Sequence, residues 1–178
     1  MHPSTGHGRS SEPAPSELVA FIGHEYGRVH GALTLYLGDP ATAHDLAQEA
    51  FIRVCQHWDR VRRMDAPGAW VHRVAMNLAT TALRRRNAEG RALQRAGSAA
   101  GHDAPASDTD GAVDIRAAVT ALPLAERAVI VLRYFADLTT AETASVLGIP
   151  EGTVKTRARR ALANLRREPG VPEVIIDG

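Results

Sequence analysis

The strongest constraint on the fold is the segment 139–167, in which two helical patterns are joined by a short turn. Thr139 is followed three residues later by Glu142, which is the spacing of a capping box at the start of a helix. Gly148 predicts the end of that helix, and Pro150 suits the first turn of the next one because its φ is already near the helical value. Two helices joined in this way are typical of a helix-turn-helix unit that binds DNA.

The second helix of this pair has one apolar face and one basic face. Its apolar residues recur at i, i+4, i+7, i+8 and i+11 from Val154 to Leu165, which predicts a stripe packed against a core. The candidate DNA-binding residues on this helix are Thr153, Lys155, Thr156, Arg157, Arg159 and Arg160. Long cationic side chains on a helix seated by its other face can reach base edges or phosphates in the major groove. The alternative is a solvated amphipathic helix, but the short turn and the positions of the basic side chains favour DNA binding.

Charges are balanced in total but segregated along the chain. The 178 residues include 21 Lys or Arg and 20 Asp or Glu, for a formal net charge of +1, which argues against a generally basic nucleic-acid binder. Arginines are concentrated in residues 84–95, and lysine and arginine are concentrated in residues 155–167. Aspartates are concentrated between them, in residues 103–114. Such blocks predict two separate electropositive faces with an acidic connector.

The sequence shows no sign of disulfides, export or membrane insertion. Cys55 is the single cysteine, so no internal disulfide can form, and its apolar helical surroundings predict a buried or half-buried thiol. The N-terminal segment has no apolar core of signal-peptide length, and no run of about 18 apolar residues occurs. We therefore expect a cytoplasmic protein without membrane insertion.

The helical patterns divide the chain into two halves. Residues 1–16 predict a disordered tail, 17–95 an N-terminal domain, 96–112 a linker rich in Gly, Ala, Ser and Asp, 113–168 a C-terminal domain, and 169–178 a short tail. Strand alternation of useful length is missing from the sequence. The predicted fold class is therefore all-α, with two small helical domains on a flexible linker and a helix-turn-helix in the second. We expect the two domains to move partly independently.

Three helices are predicted in the first half. The first ends at Gly38-Asp39-Pro40, and the second has Trp58 at the end of its core face. A polar stretch follows before Pro67, which begins the third helix. Trp70, in that third helix, is predicted to pack in the core rather than to stack on a base.

In this order, the two halves resemble the extracytoplasmic-function group of bacterial RNA polymerase sigma factors, over about residues 17–167. DLAQEAFIRV (45–54) resembles the family's polymerase-binding helix, and APGAWVHRVAMNLATTALRRR (66–86) resembles its helix for the minus-ten promoter element. The segment 121–167, and LGIPEGTVKTR within it, resembles the module that reads the minus-thirty-five element. Both halves in the right order are stronger evidence than a helix-turn-helix alone.

The resemblance implies a role for each part. Asp45 and Glu49 lie four residues apart on one helix face and offer two carboxylates to a basic partner. The implied polymerase-binding residues are Asp45, Gln48, Glu49 and Arg53. The implied minus-ten residues are Arg73, Asn77, Thr80, Arg84 and Arg85. The connector 61–66 corresponds to the loop that captures an unstacked base.

The resemblance also implies the partners, which are core RNA polymerase, promoter DNA and an anti-sigma factor. It implies no catalytic residue, no cofactor and no metal site, because a sigma factor melts DNA with binding energy. The recognition helix has Pro150 where relatives commonly have a serine cap, so no hydroxyl can cap the helix there.

Two other functions compete with this interpretation. A free-standing transcriptional regulator would use the same helix-turn-helix, but it would not need the Arg-rich helix in the other half. A metal-dependent enzyme would need three converging ligands, whereas the eight histidines are scattered along the chain. His44, Asp45 and Glu49 are close together, but all of them lie on one helix. Phosphate loops and nucleophile motifs are also missing from the sequence.

Overall fold

The computed structural model describes residues 16–95 and 115–167, and the elements within these ranges are all helical. In chain order they are α1 (Ser16–Leu37), α2 (Pro40–Gln56), α3 (Trp58–Val61), α4 (Pro67–Arg95), α5 (Ile115–Ala121), α6 (Leu124–Ile130), a π-helical turn (Val131–Phe135), α7 (Thr140–Leu147) and α8 (Glu151–Leu165). The all-α prediction is confirmed. The predicted tails and the linker 96–112 lie outside the described residues.

The first domain is built from α1, α2 and α4, each of which packs against the other two. Gly38 ends α1 with a φ of +71°, a conformation that suits glycine because it has no Cβ. Asp39 then caps α2, because its carboxylate accepts hydrogen bonds from the amides of Ala41 at 3.1 Å and Thr42 at 3.3 Å. The hydroxyl of Thr42 donates to the same carboxylate and holds the pKa of Asp39 below its ordinary value. The Gly38-Asp39-Pro40 turn is therefore placed as predicted.

The segment after α2 differs from the prediction in two ways. The chain leaves the helix at His57, so Trp58 begins the separate turn α3 and its ring lies 5.4 Å from that of Phe21. Val61 is fully buried, so the exposed part of the connector can begin only after it. Local apolar spacing assigned Trp58 to α2 because it does not register the break at His57, whereas Val61 was placed in the connector by the family resemblance.

The second domain contains the helix-turn-helix as the sequence predicted. Thr139 and Glu142 form both hydrogen bonds of the capping box at the start of α7. Gly148 ends α7 in the left-handed region with a φ of +64°, and Pro150 stands before α8 with no side-chain cap hydrogen bond. Val129 of α6, together with Ala144 of α7, packs under Val154 of α8.

The two domains pack against each other in this structure, an arrangement that the composition of the linker did not predict. α1 lies against α5, α6 and the π-helical turn, and α4 lies against α7. A continuous cluster of buried apolar side chains includes Leu33 of the first domain and Leu132 of the second. Arg127 of α6 donates a hydrogen bond to the carbonyl of Tyr36 at 3.0 Å. The tether composition of residues 96–112 gave no sign of this contact, because it forms between residues far apart in the chain.

None of the helices within residues 16–95 and 115–167 combines the length and the apolar character needed to span a membrane. Cys55 is exposed on α2, so the prediction of a buried or half-buried thiol is wrong. Its position lies about a quarter turn away from the buried stripe that contains Ala47 and Val54, and that offset is enough to place it in solvent.

Candidate functional site

The outer arc of α8 presents cationic side chains to solvent. The buried residues of α8 are Val154, Ala161 and Leu165, each at most 1% exposed, and they fix which face of the helix is turned to solvent. Of the candidate DNA-binding residues, the exposed ones are Lys155, Arg159 and Arg160, and the half-buried ones are Thr153, Thr156 and Arg157. The hydroxyl of Thr156 donates to the carbonyl of Gly152 at 2.9 Å, inside the helix. The exposed cations therefore carry most of what this arc offers to a nucleic acid.

A groove of about 280 Å³ runs beside α8, and two of the arginines that line it, Arg133 and Arg166, were not among the predicted DNA-binding residues. Its floor includes Ala158 and Leu162, and Lys155 and Arg159 lie along it. Arg133 of the π-helical turn completes the wall, with its guanidinium 5.8 Å from the centre of the Tyr134 ring. Arg133 could not be found from local spacing, because it approaches α8 from another element.

The candidate minus-ten residues lie along α4. Arg73, Asn77, Thr80 and Arg84 follow one another at i, i+4, i+7 and i+11, which places them on one stripe of the helix. All of them are exposed except Thr80, which is half-buried. Arg85 is also exposed but lies to the side of the stripe, where its Nε is 3.7 Å from Oε1 of Glu89. The structure thus aligns four of the five candidates.

The N-terminal end of this stripe is in contact with the second domain. Arg73 donates hydrogen bonds to both the carbonyl and the hydroxyl of Ser145 in α7. Beside this contact, a cleft of about 360 Å³ lies between the start of α4 and α7. Its walls include Met64, Trp70 and Glu142. Trp70 is half-buried and packs against the core cluster while also lining the cleft.

A buried polar pair lies beneath this interface. His72 is 1% exposed, and its Nε2 is 3.8 Å from Oε2 of the buried Glu25. Burial lowers the pKa of His72 to about 4, the nearby Arg28 guanidinium acts in the same direction, and Glu142 opposes them. The imidazole is therefore neutral near pH 7. Gly68 lies against the Glu25 carboxylate so closely that an added Cβ would be 3.0 Å from Oε1.

The candidate polymerase-binding residues lie on the outer face of α2. Asp45 and Gln48 are exposed, and the Gln48 amide nitrogen is 3.0 Å from Nε2 of His44. Glu49 and Arg53 are half-exposed and bond to each other, with two N–H donors of Arg53 each 3.0 Å from Oε1 of Glu49. The two carboxylates therefore differ, because only that of Asp45 lacks a cation bonded to it on this helix.

An exposed apolar side chain on the same face was missed by the sequence interpretation. Ile52 is 51% exposed. Asp45, Gln48, Glu49 and Ile52 follow one another at i, i+3, i+4 and i+7, so the isoleucine continues the face that the polar residues begin. The signal was available in the sequence, because a large aliphatic residue off the buried stripe is exposed. Single exposed apolar side chains are common on protein surfaces, so Ile52 is of interest here because of its position among the candidate polymerase-binding residues.

Metal ligation finds no support in residues 16–95 and 115–167, where no group of three His, Cys, Asp or Glu side chains could hold an ion.

Comparison with known protein families gives two matches, one for each domain. Residues 21–89 match the family described as sigma-70 region 2, and residues 112–165 match the one described as sigma-70, region 4. The order of the two matches along the chain is the order predicted from the sequence.

Individual proteins give the same picture. The RNA polymerase sigma-E factor of Streptomyces avermitilis is 35% identical over 130 residues, covering 73% of this chain and 72% of that protein. The ECF RNA polymerase sigma factor SigL of Mycobacterium tuberculosis is 34% identical over 161 residues, covering 86% and 89%. Among solved structures, the sigma factor RpoE of Bartonella quintana in complex with the anti-sigma factor NepR has a TM-score of 0.71 at 19% identity, covering 85% of this chain and 96% of that one.

Proposed function

This chain belongs to the extracytoplasmic-function group of RNA polymerase sigma factors, and from that premise we propose a role for each of three surfaces. A sigma factor binds core RNA polymerase and directs transcription initiation at promoters, which is not the role of a free-standing regulator. The family is one of DNA-binding initiation factors rather than enzymes. We infer that the chain has no catalytic step of its own and works in the cytoplasm, where its polymerase and promoter are.

The outer arc of α8 reads the minus-thirty-five element. This assignment rests on the exposure of Lys155, Arg159 and Arg160. They lie opposite the stripe from Val154 to Leu165, whose buried residues are at most 1% exposed. A helix held so firmly on one side presents its cations at fixed positions, which base recognition in the major groove requires. Arg157 lies half-buried on the flank and suits a phosphate contact better than a base contact.

The stripe of α4 holds the minus-ten element. Arg73, Asn77 and Arg84 offer cationic and amide donors along about three turns of one helix face. A melted strand exposes both phosphates and unstacked bases, and such donors beside a half-buried tryptophan fit both. The cleft that Met64 and Trp70 line at the start of α4 is the candidate site for a captured base.

The outer face of α2 binds core polymerase. Ile52 lies on the same face as Asp45 and Gln48, so an apolar contact there would be surrounded by polar groups. That arrangement is typical of an interface anchor, in which a central apolar side chain contributes most of the binding energy. The Glu49–Arg53 pair would contribute at the rim, where charge sets orientation more than affinity.

An anti-sigma factor is the third proposed partner. Two proteins of similar fold, RpoE of Bartonella quintana and CnrH, have been solved with NepR and with the cytosolic domain of CnrY, respectively. Their identities to this chain are 19% and 22%, so they support the proposal through the fold alone.

The polymerase assignment is tested by two matched substitutions. Ile52→Asp places a charge at the centre of the proposed interface, and Val19→Asp makes the same change at an apolar position that is 58% exposed on α1. We expect Ile52→Asp to weaken holoenzyme formation at least about 30-fold, as for an interface hot spot, and Val19→Asp to leave it unchanged. Native gel shift of core polymerase gives the readout, and circular dichroism checks the fold. Equal behaviour of the two variants would remove Ile52 from the interface.

A further inference from the structure

We propose that the described packing of the two domains is a closed state, in which α7 occupies the surface of α4 that holds the minus-ten strand. This inference rests on the function proposed for α4. It adds that the free protein keeps part of its own DNA-binding surface covered, and that the covering element is a helix of its own promoter-reading domain.

The contact made by Arg73 is chemically similar to a phosphate contact. Ser145 lies in the last turn of α7, where carbonyls lack partners within the helix and the helix dipole is negative. Arg73 donates to that carbonyl and to the Ser145 hydroxyl. The guanidinium therefore has two oxygen acceptors at the position from which it would bind a phosphate. A DNA strand can use Arg73 only by displacing Ser145.

The cleft beside this contact has one wall from each domain. Met64, Ala66 and Trp70 form the first wall, and Glu142 and Ser145 form the other. A nucleic-acid strand that entered the cleft would meet the carboxylate of Glu142, whose hydrogen bonds with Thr139 keep its pKa below the ordinary value and the group ionised. The second domain thus places an anionic group where the proposed capture site needs a neutral or cationic one.

Two further arginines hold the domains together around the buried cluster. Arg28 of α1 donates to the carbonyl of Ala136 and lies 3.8 Å from the carboxylate of Asp137. Arg127 donates across the interface to Tyr36. The net free energy of one hydrogen bond is small, so these polar contacts alone hold the domains weakly. A partner that opens the closed state must also offset the exposure of the apolar cluster that the two domains share.

The consequence is a reduced affinity for single-stranded DNA in the free protein. The apparent affinity of a site equals its intrinsic affinity multiplied by the fraction of molecules in which the site is accessible. Lys155, Arg159 and Arg160 lie outside this interface and remain exposed, so duplex binding by α8 is not reduced in the same way.

The test compares two substitutions at one position. Ser145 is exposed on its own domain, so changes there spare the helix-turn-helix core. Ser145→Arg sets bulk and a like charge against Arg73, whereas Ser145→Ala keeps the main-chain carbonyl that Arg73 binds. Cys55 is exposed and is the single cysteine, so Ala163→Cys on the exposed face of α8 supplies a second site for spin labels. Pulsed dipolar spectroscopy then reports the distance between the two domains.

We expect a narrow distance distribution for the wild-type and Ser145→Ala chains and a longer, broader one for Ser145→Arg. The affinity of the full chain for a fluorescent single-stranded oligonucleotide of random sequence should rise about tenfold in Ser145→Arg, as for a site closed in nine molecules out of ten. Gln56→Arg adds the same charge on exposed α2 and serves as the reference for the charge effect.

Three results would overturn the closed state: a broad distribution in the wild-type chain, no opening in Ser145→Arg, or opening without a gain in affinity over Gln56→Arg. Failure of the α4 assignment has a different signature. In that case Ser145→Arg opens the domains and raises the affinity, but adding Arg73→Ala to it does not lower the affinity again.

Discussion

α8 and α4 each carry a row of cationic side chains, and the two rows differ in what lies in front of them. The row on α8 is fixed by a stripe buried within its own domain, and Lys155, Arg159 and Arg160 are exposed. The row on α4 begins with Arg73, which is bonded to Ser145 of the other domain. The local pattern is alike in both helices, so tertiary packing alone decides which row is available.

The difference is confined to part of α4. Arg84 lies three turns beyond Arg73 on the same stripe and is exposed, whereas the cleft and the Ser145 contact are at the start of the helix. Of the two proposed DNA surfaces, the one on α8 is therefore fully exposed and the one on α4 is only partly exposed. With the proposed roles, such an arrangement would favour duplex recognition before the polymerase is bound and strand capture afterwards.

The largest expected effect concerns His72, the buried histidine of α4. His72 is neutral in the folded chain, with a pKa of about 4 against an ordinary 6.5, so the unfolded chain takes up a proton first as the pH falls. Stability is therefore full above about pH 6.5 and falls between that pH and about 4. Between pH 7 and pH 4.5 the loss from this group is about 2–3 kcal/mol.

Urea unfolding at the two pH values measures this loss. His72→Leu, which has no titratable side chain at this position, should remove most of the difference. If the wild-type and His72→Leu chains lose the same unfolding free energy between the two pH values, burial of the imidazole is not the cause of that loss.

The next effect concerns the presented surface. Arg159→Ala or Arg160→Ala should weaken binding of the upstream promoter element by about 1–3 kcal/mol in the free protein, with little change in folding. A guanine contact would relax the preference at one base pair, whereas a phosphate contact would lower the salt dependence for all sequences. Fluorescence anisotropy with duplex DNA at several salt concentrations separates the two, and exposed Arg60→Ala in α3 of the first domain is the control. Normal binding by both variants would contradict the recognition-helix assignment.

Local features were predictable from the sequence because their causes are local. The capping box of Thr139 and Glu142, the glycine that ends α7 and the Asp39 cap each depend on residues within four positions of one another. The contacts between Arg73 and Ser145 and between Arg127 and Tyr36 join residues 72 and 91 positions apart, and nothing in their neighbourhoods distinguishes them from solvated side chains. For this reason the caps and ends of these helices followed from the sequence, but the accessibility of their side chains did not.

Two errors on α2 have a related cause. Cys55 was assigned to the interior and Ile52 was overlooked, because hydrophobicity was used in place of position around the helix. Around the α2 axis, Cys55 lies about a quarter turn from the buried Val54 and Ile52 almost half a turn from it, and both are exposed. An explicit assignment of each residue to a helix face would have placed both correctly.

A smaller effect is expected at the start of the covering helix. Thr139→Ala removes the hydroxyl that accepts from the Glu142 amide at 3.2 Å, and it should cost about 1 kcal/mol of stability at pH 7. Because the Thr139 side chain is the main cause of the lowered pKa of Glu142, this contribution is present above the ordinary glutamate value and is lost as the pH falls through the lowered one. Urea unfolding of Thr139→Ser, which keeps the hydroxyl, should match the wild-type chain. A full penalty in that variant would show that the capping box is not the source.

The smallest effect is expected for Arg73→Ala in the free protein, where two consequences oppose each other. The substitution removes a donor for single-stranded DNA, but it also removes the bonds to Ser145 that help to keep the surface covered. The intrinsic affinity falls while the accessible fraction rises, so the apparent affinity for a single-stranded oligonucleotide should change less than about twofold. The same substitution in the Ser145→Arg background, where the surface is already open, should cost about tenfold. Anisotropy titrations of the four chains complete a double-mutant cycle, and a zero coupling energy would mean that Arg73 contributes equally whether or not α7 is in contact with it.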